Sequence, residues 1–358
     1  MQRVLHIGLS GNYGGVESFV MNYYRAVDKK KIQFDFILNY DKLAYQEEIT
    51  ALGGKIYKIA DFHSHPYAYY SNLKKVMKCY KIVHIHLLSA SNFLPLYAAR
   101  SVGVKKIVVH AHSTRTIGIL RRMLHRINRK RFKRFNAVKI ACSSVAGNWM
   151  FGTKDFIIFN NAINAKQYKY NPDIRKRLRN ELGIDDKEFV CGNVAAIVKE
   201  KNQIFLIKMF AELVKIYPNS KLCVVGDGVL RIELEEIVKE LNLNSKVLFL
   251  STRLDVYQLY NIFDCFILPS LFEGLPFTLV EAQANGLKCY VSRGKVSEES
   301  KIIDNMEFID LSMGEKYWAT RIFECSNKRI VDAFDIIVKR KYDISTEVDQ
   351  LVNLYIAD

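Results

Sequence analysis

The chain of 358 residues has no apolar segment approaching membrane-spanning length. Its N-terminus, MQRVLHIGLS, runs from a short apolar stretch straight into a glycine loop and shows no signal-peptide cleavage pattern. The chain is therefore expected to be neither secreted nor inserted. Paired cysteine spacing is missing too: Cys79, Cys142, Cys191, Cys223, Cys265, Cys289 and Cys325 lie far apart, mostly inside apolar runs, and frame neither a disulfide nor a zinc site. They are expected as buried thiols in a reducing cytosol. Low-complexity segments and short-period repeats are absent, and a composition of 49% hydrophobic and 25% charged residues excludes disorder. Acidic residues are scarce in one half. Residues 1–170 carry 8 Asp/Glu against 28 Lys/Arg, or +20, whereas residues 171–358 carry 29 against 25, or −4. Such a single-sign field implies a polyanionic neighbour, nucleic acid or the anionic face of a membrane, and composition does not choose between them.

Short β-branched runs alternate with amphipathic stretches: RVLHIG, FDFILN, KIYKIA, KIVHIHLL, KKIVVHAH, VKIACS and DFIIFNN, then EFVCGNVAA, KLCVVGDG, KVLFLS, DCFILPS and LKCYVS. Continuous apolar strands joined by helices predict parallel sheets covered on both faces. The change of charge, the NPD turn at Asn171–Asp173 and the polar RKRLRNEL place a junction near 165–185. The reading is α/β, with two Rossmann-like doubly wound domains over 1–165 and 166–344. Such sheets bind ligands at the carboxyl ends of their strands, here in an expected interdomain cleft.

The densest motif is PSLFEGLPFTLVEAQANG, residues 269–286. Pro276 suits a helix start because its missing N–H needs no partner there, and Gly274 is expected to let the preceding backbone turn tightly. The helix predicted from Phe277 presents free N–H groups and a positive dipole end, an anion site. Glu273 precedes it and Glu281 lies just over one turn inside, and a carboxylate can accept two hydrogen bonds from a vicinal diol.

A Glu, seven residues and a second Glu, set in FEGLPFTLVEA, resembles the signature of family 4 retaining glycosyltransferases of the GT-B fold. Within that family the chain is similar to capsular and exopolysaccharide transferases. The likeness runs through SGNYGGVESFVMNYYRAVD, IACSSVAGNWMFG, IIFNNAIN, VVGDGVL and FLSTRLDVYQLYNIFDCFILPSLFEGLP to YDI…LVNLY. It implies that Glu281 binds ribose hydroxyls, that Glu273 faces the donor sugar, and that the backbone of Gly274, Leu275, Pro276, Phe277 and Thr278 holds phosphate and sugar. Lys201 matches the lysine that neutralises the diphosphate, and Arg253 joins the same nucleotide-sugar set. Where Gly-Arg is common before that lysine, this chain has Ala195-Ala196, so a guanidinium clamp is missing and Lys199 offers only a point charge. Smaller departures are Asn164, Ser251 and Lys288. The final helix, about 345–358, is implied to return to the N-terminal domain.

The first loop, SGNYGGVES, lacks the full G-x-G-x-x-G, as does GDG at 226–228, which argues against a nicotinamide site. The family places this loop at the donor diphosphate, making Gly14 and Gly15 candidates, with Glu17 weaker. His84/His86 and His110/His112 alternate, so each pair projects from one strand face. With neither cysteine nor acid adjacent, satisfied core or cleft histidines are favoured over zinc, and no metal is expected. The resemblance puts His112 at a catalytic position contacting the donor sugar, with His110 as the fallback. RTIGILRRMLHRINRKRFKR, residues 115–134, has nine Lys/Arg and no acid, with Ile117, Leu120, Leu124 and Ile127 at helical spacing. Either that stripe docks on the sheet, or Arg121, Arg122, Arg129 and Arg131 face anionic lipid.

The resemblance thus implies a metal-independent transferase with no cofactor. It would move sugar from a nucleoside diphosphate, a UDP-sugar, to a glycan or polyprenyl-linked acceptor. It is expected in the cytoplasm, peripheral on the membrane's inner face. Two rivals stand: a non-catalytic sugar-nucleotide-binding partner subunit, motivated by Ala196, and a nucleic-acid binder, which lacks any recognisable motif.

Overall fold

The computed structural model describes residues 1–253, 255–324 and 329–357; Cys325 lies outside the described residues. Two compact units emerge. Unit 1 comprises Met1–Ala162 and the C-terminal segment from Ile344, and unit 2 is Ile163–Asp343. The chain therefore passes into unit 2 a few residues before the sequence-based boundary, and the RKRLRNEL helix belongs wholly to unit 2.

Each unit is a parallel α/β sheet. Unit 1 contains β1 (Gln2–Ile7), β2 (Ile32–Leu38), β3 (Ile56–Lys58), β4 (Ile82–Leu87), β5 (Lys106–Ala111), β6 (Ala137–Ala141) and β7 (Ile157–Ile158), in the order β3-β2-β1-β4-β5-β6-β7. Unit 2 contains β8 (Phe189–Val194), β9 (Ser220–Val225), β10 (Val247–Leu250), β11 (Cys265–Leu268), β12 (Lys288–Ser292) and β13 (Met306–Ile309), in the order β10-β9-β8-β11-β12-β13. Every residue of β2, β4, β8 and β11 is buried, as sheets covered on both faces require. The apolar runs KIYKIA and DFIIFNN yield only the short edge strands β3 and β7, where one ladder is missing.

Strand order reverses between β1 and β4 in unit 1 and between β8 and β11 in unit 2. Those switch points open crevices at the strands' carboxyl ends. The turns leaving β1 and β9 require glycine. Gly8 (φ +108°) and Gly226 (φ +134°) occupy backbone regions hostile to side chains, and a Cβ on them would lie 2.3 Å from the His86 carbonyl oxygen and 2.1 Å from that of Ala195.

The polar helix Pro172–Glu181 is not merely solvated. Arg179 is fully buried and donates to Asp264 Oδ2 at 2.8 Å, while Arg175 donates to Oδ1 at 2.7 Å, so two guanidinium groups fix the residue that leads into β11. The cysteines divide: Cys142, Cys191, Cys223, Cys265 and Cys289 are buried as expected, but Cys79 is exposed, because it follows a helix end where the chain turns outward beside Lys78.

Five helices position the sites: α1 (Gly15–Ala26), α2 (Ile119–Arg129), α3 (Gln203–Ile216), α4 (Phe277–Ala284) and α5 (Ile344–Ile356). The basic segment is helical only within α2, continued by one 3-10 turn over Lys130–Arg134; Gly118, at φ +92°, marks its start. Its apolar side chains do not dock on the sheet. Ile119, Leu120, Met123 and Ile127 are exposed, and the inward residues are His125 and Asn128, which grip Ala90: its N–H donates to His125 Nδ1 at 3.1 Å, and Asn128 Nδ2 donates to its carbonyl at 2.8 Å. Two of the four arginines assigned to lipid face the protein instead. Arg129 donates to the Asn148 carbonyl (2.7 Å) and Arg131 to Tyr97 Oη (3.3 Å), because both lie on the flank that α2 turns toward unit 1. At the C-terminus, α5 packs on α1 and brings Tyr355 Oη to 2.5 Å from His84 Nδ1.

Candidate active site

The unit 2 crevice is built from the loops after β8, β11 and β12. The β8 loop closes in a 3-10 turn, Lys199–Lys201, and Asn202 adopts the left-handed conformation (φ +56°) before α3 begins. Asn202 Nδ2 donates to the Pro269 carbonyl at 3.1 Å and Leu271 N–H to the Glu200 carbonyl at 2.8 Å, clamping the β8 loop to the β11 loop. This clamp places Lys201 Nζ 2.5 Å from Glu273 Oε1, which also accepts from Ser270 Oγ at 2.8 Å. Two residues 72 positions apart in sequence are thus adjacent. The ammonium keeps further N–H bonds to offer a phosphate oxygen.

Glu273 N–H donates to the Lys295 carbonyl at 2.8 Å, which brings a second lysine, exposed and unflagged by its sequence context, to the same loops. The backbone bends at Gly274, as expected, but the bend does not need glycine. Gly274 has no positive φ, and a Cβ there would meet nothing within 4 Å, so the vacancy lies on the open side of the loop. Pro276 is the N-cap of α4, and no side chain caps the first turn, leaving its N–H groups for an anion. Leu275 and Phe277 are buried, so they offer backbone rather than side chain; Thr278 is half-buried.

Glu281 sits one turn further along α4. Its Oε2 accepts from Tyr260 Oη at 2.6 Å. Burial raises its pKa, while hydrogen bonds from Tyr260 and Tyr168 pull it down. Two phenols therefore orient a carboxylate that retains lone pairs for a diol. Neither tyrosine is legible in the sequence; within DVYQLYNIFD, Tyr260 looks like one more apolar-face residue. Arg253 forms a two-bond fork on Asp255 at 2.8 and 2.7 Å, so its guanidinium is already matched to a carboxylate. Ala196 is exposed in the turn after β8, where its methyl group supplies no charge, and its carbonyl accepts from Gln203 Nε2 at 3.0 Å.

In unit 1 the glycine loop leads into α1 with Gly14 as N-cap. A Cβ on Gly14 would lie 2.7 Å from Glu17 Oε2, whereas one on Gly15 would meet open space. Glu17 is buried and accepts from Ser10 N–H (2.7 Å) and Ser10 Oγ (2.9 Å), closing the loop. Its carboxylate in the first turn of α1 weakens that end for phosphate relative to α4, which has no acid there. His112 Nε2 lies 2.9 Å from His86 Nδ1, and burial drives the His112 pKa down to about 3, so the imidazole is neutral near pH 7. His86 Nε2 in turn meets His6 Nδ1 at 3.0 Å. The two histidine pairs thus merge with His6, a residue that sequence spacing does not single out.

Comparison with known proteins places this geometry. Residues 13–150 match the profile of Glycosyltransferase Family 4, and residues 174–305 that of Glycosyl transferases group 1. The putative glycosyltransferase EpsF of Bacillus subtilis is 32% identical over 99% of this chain and 96% of its own length. The capsular polysaccharide biosynthesis glycosyltransferase CapH of Staphylococcus aureus is 23% identical over 100% and 99%. Among solved structures, Anabaena HepE in complex with UDP and glucose superposes with a TM-score of 0.80, at 18% identity, covering 99% of each chain. The chain is a GT-B glycosyltransferase of polysaccharide biosynthesis and belongs to glycosyltransferase family 4.

Proposed function

We propose that this chain transfers a sugar, with retention at the anomeric carbon, from a UDP-sugar to a glycan or polyprenyl-linked acceptor. The observation that carries the reading is the clamp setting Lys201 against Glu273 at the uncapped N-terminus of α4, with Glu281 one turn beyond. The acceptor hydroxyl attacks the anomeric carbon as the bond to the diphosphate oxygen breaks. UDP departs with the bonding electrons, and the acceptor's proton passes to the leaving phosphate oxygen. Lys201 and the amides of Gly274–Thr278 meet the negative charge that develops there. Glu281 takes the ribose diol and Glu273 the donor sugar. The scheme draws on no metal. Support for UDP comes from HepE, whose structure holds UDP and glucose.

The test is a screen of labelled sugar nucleotides with product anomers read by NMR, repeated with Lys201→Ala. Loss of a preorganised charge at a leaving group lowers kcat about 10²- to 10³-fold. Normal turnover by that variant, or an inverted product, overturns the reading. Donor binding without turnover by the wild type would favour the non-catalytic subunit suggested by Ala196.

The acceptor side rests on α2. No helix among the described residues is long and apolar enough to cross a membrane. Ile119 (82% exposed), Leu120 (63%) and Met123 (52%) instead project outward beside exposed Arg121, Arg122 and Arg126. An apolar ridge flanked by cations, without an acid in residues 115–134, suits an anionic bilayer, where each cation contributes about 1 kcal/mol. Reversal of Arg121, Arg122 and Arg126 to glutamate releases the protein from anionic vesicles and leaves transfer to a soluble acceptor unchanged. Binding of the variant equal to wild type refutes the lipid contact.

A further inference from the structure

Five imidazoles share one face of the unit 1 sheet at its switch point. His6 on β1 pairs in register with His84 on β4, His86 with His110 on β5, and His112 follows that strand. All but His112 are buried, and four of their ring nitrogens have no hydrogen-bond partner: His6 Nε2, His84 Nε2 and both nitrogens of His110. A buried polar atom left unpaired costs about 1–3 kcal/mol, so this cluster asks for a ligand.

The trio His6, His84 and His86 holds two of those four nitrogens and sets three imidazoles within reach of one ion. One ring nitrogen from each lies within 4.8 Å of the other two. His84 gives its Nδ1 to Tyr355 Oη (2.5 Å) and His86 gives its Nδ1 to His112 Nε2 (2.9 Å), and each leaves Nε2 turned away from that partner. This is how ligating histidines are held, with the far nitrogen tied by a second group; His84 Nε2 is without a partner, and His86 Nε2 would exchange its contact with His6 Nδ1 for the ion. His6 Nδ1 and His86 Nε2 are 3.0 Å apart, near the roughly 3.4 Å between ligands of a tetrahedral ion with bonds of about 2.0–2.1 Å. The trio contains no carboxylate, which disfavours magnesium and calcium; three neutral imidazoles suit a late first-row ion.

We propose that His6, His84 and His86 bind one zinc(II) or copper(I) ion in the core of unit 1. The two ions share imidazole preference and a filled d shell, and differ in the charge they bring to a site without a counter-ion; that charge cost grows as its square, which favours copper(I). The site lies apart from the donor chemistry assigned to unit 2 and meets His112, the residue that the family likeness gives to the donor sugar, through His86 Nδ1. Sequence spacing shows two separate pairs and favours no metal, because His6 joins them only through the β1–β4 pairing.

The experiment uses the untagged full chain, refolded from denaturant with zinc(II), with copper(I) under anaerobic reducing conditions, or with no metal, then dialysed. Bound metal is counted by elemental analysis and the melting temperature is measured. The expected result is one ion per chain, with a raised Tm. His6→Phe, which packs beside Phe34 and Phe36, loses the ion and its Tm increment, yet without metal melts close to wild type, since the orphaned His6 Nε2 it removes offsets the His86 Nε2 it leaves without a partner. His84→Phe repeats the test from the other strand. Wild-type protein that takes up neither ion stoichiometrically overturns the proposal whether or not a variant folds, and so does undiminished uptake by both variants. Uptake of one ion and not the other identifies the occupant.

Discussion

The two sheets share their strand order through six strands and fill the same topological position with different chemistry. At the switch point of unit 1 the facing pair is His6 and His84; at that of unit 2 it is Cys191 and Cys265, whose sulfurs lie 3.8 Å apart. All eight histidines of the chain fall in unit 1 and none in 163–343. Buried thiols remain neutral and weakly polar, so unit 2 tolerates them as small hydrophobes. Buried imidazoles are held neutral in the folded core and take up protons only when it unfolds, below about pH 6.5. One framework therefore carries a core indifferent to acid and a core that responds to it.

Acid gives the largest separation. Burial lowers the pKa of His6, His84, His86 and His110 well below the usual 6.5, and that of His112 to about 3. Because the folded pKa values are depressed, below pH 6.5 the unfolded chain binds protons that the folded chain refuses. Stability is then lost as pH falls below 6.5. The chain's two tryptophans, Trp149 and Trp318, lie one in each unit and report them separately. With Trp318→Phe and Trp149→Phe variants, the emission maximum of Trp149 is expected to shift to the red at a higher pH than that of Trp318. Coincident shifts would erase the contrast.

At the donor site, Glu281→Ala removes a hydrogen-bonded charge and is expected to raise the donor KM by about 1.5–3 kcal/mol, roughly ten- to 150-fold, in a folded protein. Tyr260→Phe removes one orienting donor and costs less, about 0.5–1.5 kcal/mol. Steady-state kinetics that rank the two the other way would move the nucleotide away from Glu281. The smallest contrast is between two glycines of unit 2. Gly226→Ala brings a Cβ onto the Ala195 carbonyl at positive φ and lowers Tm, whereas Gly274→Ala leaves Tm unchanged, because nothing lies within 4 Å of its Cβ, and affects donor binding alone. A destabilised Gly274→Ala would place the loop's role in folding rather than in substrate contact.

Much of the site lay in one stretch of sequence. Glu273, Pro276 and Glu281 are near neighbours whose spacing follows from helix geometry, so the uncapped end of α4 could be read without tertiary information. Lys201 could be placed only by resemblance, and its meeting with Glu273 depends on the Asn202–Pro269 and Leu271–Glu200 clamps. Tyr260 and Lys295 reach the site through loops whose pairing no local pattern encodes.

The basic segment shows the other limit. Helical spacing picked Ile117, Leu120, Leu124 and Ile127, whereas Ile117 precedes α2 and the outward ridge is Ile119, Leu120, Met123 and Ile127; periodicity gives relative directions around an axis and not which direction faces the core. That was decided by the grip of His125 and Asn128 on Ala90, which turned the apolar ridge outward and drew Arg129 and Arg131 back to unit 1. What the sequence determined by itself was therefore everything periodic or contiguous: the alternation of strands and helices, two α/β domains, the separation of charge between halves, and the motif at α4. Tertiary structure decided whatever depends on which strands and loops become neighbours: the Lys201–Glu273 pair, the phenols around Glu281, the outward ridge of α2, and the merging of His6 with two distant histidine pairs. Those contacts join residues tens to hundreds of positions apart, and hydrophobic burial of whole sheets, rather than any local preference, brings them together.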